Sequence, residues 1–244
     1  MPTKRASGEL AAGEVILELK GVYKLYRTSD RHALSNVSLT LRRGEFVSIM
    51  GPSGSGKTTL LGLVAGYDDP SAGEVAVMGQ AMHELGDRQR SLLRAHDLGV
   101  VTQSYNLLAR LTVEENVLVR LGPVGIRGKE AQRRAAEALD AVALPRALWQ
   151  RYPEEISGGE QQRVAFARAL VAEPSLILAD EPTGNLDTVT GTRLLDLLRR
   201  LNIERQTAVL MVTHDNYAAT YGHRTVHMRD GAIESDISAA GVAL

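Results

Sequence analysis

The sequence predicts an α/β fold with a mainly parallel core sheet, an N-terminal antiparallel β subdomain and an inserted helical subdomain. Short apolar runs alternate with segments of helical periodicity, which is typical of parallel sheets. Two stretches of alternating apolar and polar residues, 15–26 and 33–42, precede most of these runs and predict antiparallel strands. Helical patterns then dominate from about residue 87 to 155, which indicates the inserted helical subdomain.

The other elements follow from local patterns. Apolar runs predict strands at residues 46–50, 75–78, 98–101, 176–179 and 208–212. Helical periodicity predicts helices at residues 59–65, 129–142 and 161–171. The second of these helices carries the oppositely charged pairs Glu130/Arg134 and Arg133/Glu137, four residues apart, on its polar face.

The composition is that of a globular protein, with 244 residues, 44% hydrophobic and 23% charged. We expect one domain over residues 14–235, between a flexible extension at 1–13 and a small-residue tail at 236–244. The absence of cysteine excludes disulfides, thiol nucleophiles and thiolate metal sites. A net charge of −1 gives no reason to expect a nucleic-acid partner. Neither a signal-peptide pattern nor an apolar stretch of about 20 residues is visible, so membrane contact is expected only through another chain.

A glycine-rich segment between a predicted strand and a predicted helix matches the phosphate-binding pattern G-x-x-x-x-G-K-[ST]. Glycines allow backbone N–H groups to point inward, the helix N-terminus favours an anion, and the lysine reaches the terminal phosphates. The alternative is a Gly/Ser-rich turn that contains a lysine by chance. The segment, called the phosphate loop below, consists of Gly51, Pro52, Ser53, Gly54, Ser55, Gly56, Lys57, Thr58 and Thr59.

Two carboxylates follow the apolar run 176–179, at the end of a strand where α/β sheets place their ligands. Adjacent strand residues point to opposite sides, so Asp180 and Glu181 are expected to have different roles. We assign Asp180 to a Mg²⁺ shell and Glu181 to orienting and deprotonating an attacking water. A surface acidic pair without a role in chemistry is the alternative.

A second segment of interest begins the helix at 161–171 and contains Ser157, Gly158, Gly159 and Glu160. Ser157 and Glu160 have the spacing of a capping box, which is a purely structural explanation. The pair of glycines is not needed for a cap, however, and an exposed helix start is also a possible anion site. One nucleotide hardly needs two helix termini from the same chain.

As a whole, residues 14–235 resemble the ATP-binding cassette (ABC) ATPases. The phosphate loop resembles the Walker A motif, residues 176–181 resemble Walker B with its catalytic glutamate, and residues 156–160 resemble the family signature. Four more positions match the family: Tyr26 as the aromatic that stacks on adenine, Gln103 as the Q-loop glutamine, Asp187 in the D-loop, and His214 as the switch histidine.

The resemblance implies a P-loop NTPase fold that binds and hydrolyses ATP with Mg²⁺. Thr58, Gln103 and Asp180 are the implied metal-site residues, and Glu181 and His214 the implied catalytic ones. It also implies a head-to-tail dimer, in which the signature of one copy, together with its D-loop, closes over the ATP held by the other. Such a dimer explains why one chain carries two anion sites.

Residues 104–116 and 179–187 resemble the branch of lipoprotein-release (LolD), macrolide-export (MacB) and FtsE-like ATPases. This resemblance implies separate integral membrane permease subunits, export or transmembrane mechanical work, and a peripheral location on the cytoplasmic face of the cell membrane. One alternative is a soluble ABC ATPase that acts as a mechanical clamp without a membrane partner. Another is a regulatory ATP-binding module with negligible turnover.

Taken singly, several of these residues have plain structural explanations. Gln103 can be a polar loop residue, His214 a structural histidine at a strand end, and Tyr26 a core or edge aromatic. His223 and His227 form an H-x-x-x-H pair, but on a predicted strand they are not helical neighbours, so we do not expect a metal site there.

Overall fold

The computed structural model describes residues 13–26 and 32–238, which form two sheets surrounded by helices. The predicted extension therefore lies outside the described residues except for residue 13, and the predicted tail except for residues 236–238. Those three residues belong to the last strand, which extends past the predicted domain end at 235.

The first sheet is antiparallel, with strand order β2-β1-β4-β5. Its strands are β1 (Val15–Leu25), β2 (His32–Arg42), β4 (Ala72–Val77) and β5 (Gln80–Ala81). The two predicted N-terminal strands are thus present and pair antiparallel, as expected. The run at 75–78 belongs to this sheet and not to the parallel one, because β4 pairs antiparallel with β1.

The second sheet has six strands in the order β10-β9-β3-β8-β7-β6. They are β3 (Phe46–Met50), β6 (Leu98–Val101), β7 (Leu176–Asp180), β8 (Ala208–Val212), β9 (Arg224–Arg229) and β10 (Ala232–Ser238). The strands from β9 to β6 are parallel to their neighbours, whereas β10 pairs antiparallel with β9 at the edge.

Strands β7 and β8 are buried at every residue, because both faces of this sheet are covered. Alternate residues enter different hydrophobic clusters. Leu178 and Leu210 pack on the side of the antiparallel sheet, while Ile177 and Val209 pack on the side of the inserted helices. Continuous apolar runs are therefore what these strands require.

Seven α-helices occur in the described part of the chain. They are α1 (Lys57–Val64), α2 (Asp87–Asp97), α3 (Val113–Leu118), α4 (Gly128–Ala141), α5 (Gly158–Leu170), α6 (Thr188–Arg205) and α7 (Asn216–Ala219). Both predicted charge pairs form on α4, with Arg134 Nε 2.8 Å from Glu130 and Arg133 Nη1 2.6 Å from Glu137. The long helix α6 has no counterpart among the predicted elements.

Candidate functional site

The predicted site residues follow neighbouring strands of the parallel sheet. The phosphate loop follows β3, residue His214 follows β8, the pair Asp180 and Glu181 ends β7, and Gln103 follows β6. Since β3, β8, β7 and β6 are adjacent and parallel, their carboxyl ends lie at one edge of the sheet. Strand order thus brings together residues that are far apart in sequence.

The phosphate loop is held by backbone groups of other elements. A Cβ added at Gly51 would lie 2.2 Å from the carbonyl oxygen of Met228, and one at Gly56, where φ is +97°, would lie 2.4 Å from that of Ala33. The N–H of Gly231 donates to the carbonyl of Ser55 at 3.2 Å. The loop therefore packs against β2 and the β9–β10 turn. The sequence of these two segments carries no recognisable motif.

Lys57 is 9% exposed and lies within the curve of the loop. Its Nζ donates to the carbonyls of Gly51 at 2.8 Å and Pro52 at 2.7 Å, and to Ser55 Oγ at 3.3 Å. All three partners are neutral, so this nearly buried cation has no counter-charge among them. An anionic ligand at the loop would supply one.

The other loop residues divide by exposure. Pro52, Ser53 and Gly54 are exposed at the turn, whereas Ser55 is buried beneath it. Thr59 lies in the first turn of α1 and is partly buried. The loop therefore presents its backbone outward and its lysine inward, which fits the cradle that phosphate recognition requires.

Thr58 and Asp180 are joined across the loop. Thr58 Oγ1 donates to Asp180 Oδ2 at 2.9 Å, and Asp180 is only 8% exposed. Burial raises the pKa of the Asp180 carboxyl, and the hydrogen bond from Thr58 opposes that rise. A hydroxyl and a carboxylate oxygen side by side are the oxygen donors that Mg²⁺ prefers, so this pair fits the metal.

Glu181 and His214 form a second contact at the same edge. His214 Nδ1 lies 2.8 Å from Glu181 Oε1; the histidine side chain is 75% exposed and the glutamate side chain 15%. The hydrogen bond to Glu181, and then its charge, raise the pKa of His214. Glu181 has a φ of +48°, and its N–H donates to Val212 at the end of β8.

Gln103 and Tyr26 stand at the border of this site. Gln103 is exposed in the loop after β6. Tyr26 directly follows β1 and is 40% exposed, with Lys24 Nζ 5.0 Å from its ring centroid. Neither residue is packed into the core, so both side chains are accessible to a ligand.

The signature residues lie at the N-terminus of α5, on a different element from the phosphate loop. Glu160 Oε2 accepts from Ser157 N at 2.7 Å and Ser157 Oγ accepts from Glu160 N at 3.4 Å, which is the predicted capping box. A Cβ at Gly159 would lie 3.3 Å from Leu186, so the signature packs against the turn that ends at Asp187. Asp187 in turn caps α6 by accepting from Thr190 N at 3.0 Å.

The histidine pair has a structural setting. His223 Nδ1 accepts from the N–H of Phe46 at 3.0 Å, and burial lowers its pKa. His227 lies four residues further along the chain, within β9. Within the described residues, no cluster of three or more His, Asp or Glu side chains is arranged to hold a metal ion. Nor does any helix there combine the length and apolarity needed to cross a bilayer.

Comparison with known proteins places these features in a family. The family model described as ABC transporter matches residues 34–184. The lipoprotein-releasing system ATP-binding protein LolD of Chromohalobacter salexigens is 42% identical over 228 residues, which cover 93% of this chain and 96% of LolD. The macrolide export ATP-binding/permease protein MacB of Syntrophobacter fumaroxidans is 41% identical over 93% of this chain, but the match covers 32% of MacB.

A solved structure is also similar. The ATP-binding cassette MJ0796 of Methanocaldococcus jannaschii, in a dimeric post-hydrolysis state bound to ADP and Pi, superimposes with a TM-score of 0.89 at 40% identity. The superposition covers 93% of this chain and 100% of the cassette. Together with the family match over most of the chain, this similarity confirms the predicted fold class, and the chain belongs to the ABC transporter family as one of its ATP-binding cassette ATPases.

Proposed function

We propose that the chain is the ATP-hydrolysing subunit of a membrane complex and that it drives a separately encoded permease by ATP-dependent dimer closure. The observation that carries the proposal is the pair of contacts at one sheet edge, Thr58 with Asp180 at 2.9 Å and His214 with Glu181 at 2.8 Å. The first pair is suited to a metal and the second to proton transfer from water. Both lie beside a lysine with only neutral partners.

The phosphate loop binds the triphosphate. Its backbone N–H groups and Lys57 Nζ hold the β- and γ-phosphates, and Tyr26 stacks on the adenine. Mg²⁺, when bound, neutralises phosphate charge during transfer. Thr58, Asp180 and Gln103 would hold it, and Asp180 is only 8% exposed.

Glu181 orients the attacking water and accepts its proton. His214 holds the Glu181 carboxylate by the 2.8 Å contact and keeps it directed into the site. Because His214 is largely exposed, a γ-phosphate can also attract its ring, which couples the position of the histidine to the state of the nucleotide.

Two copies form a head-to-tail dimer. In each composite site, Ser157, Gly158 and Gly159 of one copy cover the γ-phosphate held by the other, with Glu160 supporting the helix start and Asp187 at the edge. The dimeric ADP-bound cassette that resembles this chain supports the proposal. Loss of the bridging phosphate on hydrolysis favours the open state, and this difference in binding is what performs work.

The partner is an integral membrane permease, and the chain works on the cytoplasmic face of the membrane. The identity of about 42% to LolD and MacB, proteins named for lipoprotein release and macrolide export, supports this partner and favours export or mechanotransmission over import. The charge balance of the chain gives no indication of a nucleic-acid partner.

The test uses a tagged Glu181→Gln variant, solubilised from membranes in the presence of ATP and Mg²⁺, with Lys57→Ala as the matched control, which is expected to bind ATP much more weakly. We expect Glu181→Gln to lower ATP turnover by about 10²–10⁴-fold, the usual contribution of general acid–base catalysis. An integral membrane protein should co-purify with Glu181→Gln, and a smaller amount of it should co-purify with Lys57→Ala. Exclusively soluble partners would support the clamp alternative, and unchanged turnover would refute the role of Glu181.

A further inference from the structure

The loop that carries Gln103, residues 102–106, is attached to helix α5 at both ends of the helix. Near the C-terminal end of α5, the guanidinium of Arg168 donates to the carbonyls of Tyr105 and Asn106, each at 2.6 Å. At the N-terminal end, a Cβ added to Gly158 would lie 3.2 Å from the Tyr105 hydroxyl. The same loop therefore contacts the first residue of α5 and a residue near its last turn.

Tyr105 and Asn106 have an unusual backbone. Their φ values are +58° and +50°, a left-handed conformation that is uncommon for residues other than glycine. The turn is closed internally, since Tyr105 N donates to the Thr102 carbonyl at 3.2 Å and Asn106 Nδ2 to Thr102 Oγ1 at 2.9 Å. Such strain persists only where surrounding contacts fix the conformation.

Arg168 supplies such a contact. Its side chain is partly buried, and this burial lowers the pKa of its guanidinium, with an opposing effect of Tyr67 and a smaller lowering effect of Arg120. Among the described residues, no carboxylate lies within ion-pair distance of it. A partly buried cation without an ion pair still needs hydrogen-bond acceptors, and Arg168 finds them in the two adjacent carbonyls.

We infer that Arg168 is a positioning residue that makes the Gln103 loop and the signature helix α5 move as one body. This inference rests on the proposed function, in which Gln103 contacts the metal and γ-phosphate of one site and Ser157 the ATP of the other. Through this attachment, the position of the Gln103 loop and the position of the signature at the start of α5 depend on each other. The planar fork of arginine suits two adjacent carbonyls, whereas the point charge of lysine does not.

The test compares Arg168→Gln and Arg168→Lys with Arg163→Gln. Arg163 lies on the same helix and makes the same kind of bond, from Nη1 to the Ala143 carbonyl at 2.8 Å, but it holds the turn after α4 and not the Gln103 loop. The measurements are the Kd for ATP, the kcat and KM of ATP hydrolysis, and ATP-dependent dimerisation by light scattering in the Glu181→Gln background.

We expect both Arg168 variants to lose about 10–100-fold in kcat, the range that misplacement of a reacting group costs. Their Kd for ATP as monomers should stay within about threefold, because the phosphate loop is unchanged, and dimerisation should need more ATP. Arg163→Gln should keep the wild-type kcat and dimerisation. Arg168→Lys retains a cation at the site, so it keeps the test valid if Arg168→Gln does not fold.

The inference is overturned if the Arg168 variants match Arg163→Gln in kcat and dimerisation, or if their lost activity is fully explained by weaker ATP binding to the monomer. These outcomes are separate from failure of the proposed function. The proposed function fails if, in protein with Arg168 intact, Glu181→Gln has normal turnover or Lys57→Ala binds ATP normally.

Discussion

His214 Nδ1 and Glu181 Oε1 are 2.8 Å apart, and they join the ends of two adjacent parallel strands. The contact makes the protonation of the histidine depend on the glutamate. The Glu181 carboxylate stabilises the protonated imidazolium of the histidine, and this raises the pKa of His214.

The first prediction is that Glu181→Gln lowers the pKa of His214 toward the usual value of about 6.5. The reason is that the amide keeps the shape of the carboxylate but removes its charge. Titration of the histidine ring protons by NMR, with His214→Asn to assign the signal, measures the shift. An unchanged midpoint would show that Glu181 does not control this histidine.

The same contact has a small pH-dependent effect on stability. Because the folded pKa is raised, the contribution is fully present below about pH 6.5 and is lost as the pH rises through the folded value. The exposure of His214 means that solvent and salt screen most of it. Unfolding free energies of wild type and His214→Asn should therefore differ slightly below pH 6.5 and converge at high pH.

The second prediction concerns Lys57. Lys57→Ala should weaken ATP binding by about 10–100-fold or more, since hydrogen bonds to a charged group contribute roughly 1.5–3 kcal/mol. Isothermal titration calorimetry with ATP measures the change. Lys129→Ala removes an exposed lysine of α4 and should leave the Kd unchanged. Equal affinity of Lys57→Ala and Lys129→Ala would contradict the phosphate-loop assignment.

The third prediction concerns the metal. Thr58→Val removes the hydroxyl that bonds to Asp180 and should raise the Mg²⁺ concentration for half-maximal hydrolysis by about 10–100-fold, the usual effect of disturbing a metal site. Thr58→Ser keeps the hydroxyl and should behave nearly as wild type. The measurement is ATPase activity during a Mg²⁺ titration. The assignment fails if valine and serine give the same curve.

Much of the fold could be predicted because apolar runs have local signatures. The residues 176–179 and 208–212 are continuous apolar runs, and such runs require a sheet covered on both faces. The site residues Asp180, Glu181 and His214 could be found because each follows one of these runs, so a parallel arrangement brings them to one edge.

Contacts made by backbone atoms could not be predicted, because a carbonyl group carries no side-chain identity. One example is the support of the phosphate loop by backbone atoms of Ala33, Met228 and Gly231. Another is the pair of hydrogen bonds from Arg168 to two adjacent carbonyls. The strand that pairs with β4 could not be predicted either, because the same apolar run can join either sheet. Helix α6 was missed although the leucines that it buries, Leu194, Leu195, Leu197 and Leu198, have the i, i+3 and i+4 spacing of an amphipathic helix.

The fourth prediction tests the backbone support of the phosphate loop through Gly56. Gly56→Ala should destabilise the protein by about 1–3 kcal/mol and weaken ATP binding, because φ is +97° and the new Cβ would meet the Ala33 carbonyl at 2.4 Å. Urea unfolding gives the stability, and nucleotide titration gives the Kd.

Gly62 is the matched control within the same helix. It lies inside α1, and a Cβ there would have no atom within 4 Å, so Gly62→Ala meets no obstacle. The substitution should stabilise the protein by about 0.5–1 kcal/mol, because alanine loses less backbone freedom in a helix than glycine does. ATP affinity should not change. If the two alanine variants shifted stability and Kd alike, the cost at Gly56 could not be assigned to its left-handed backbone and its contact with β2.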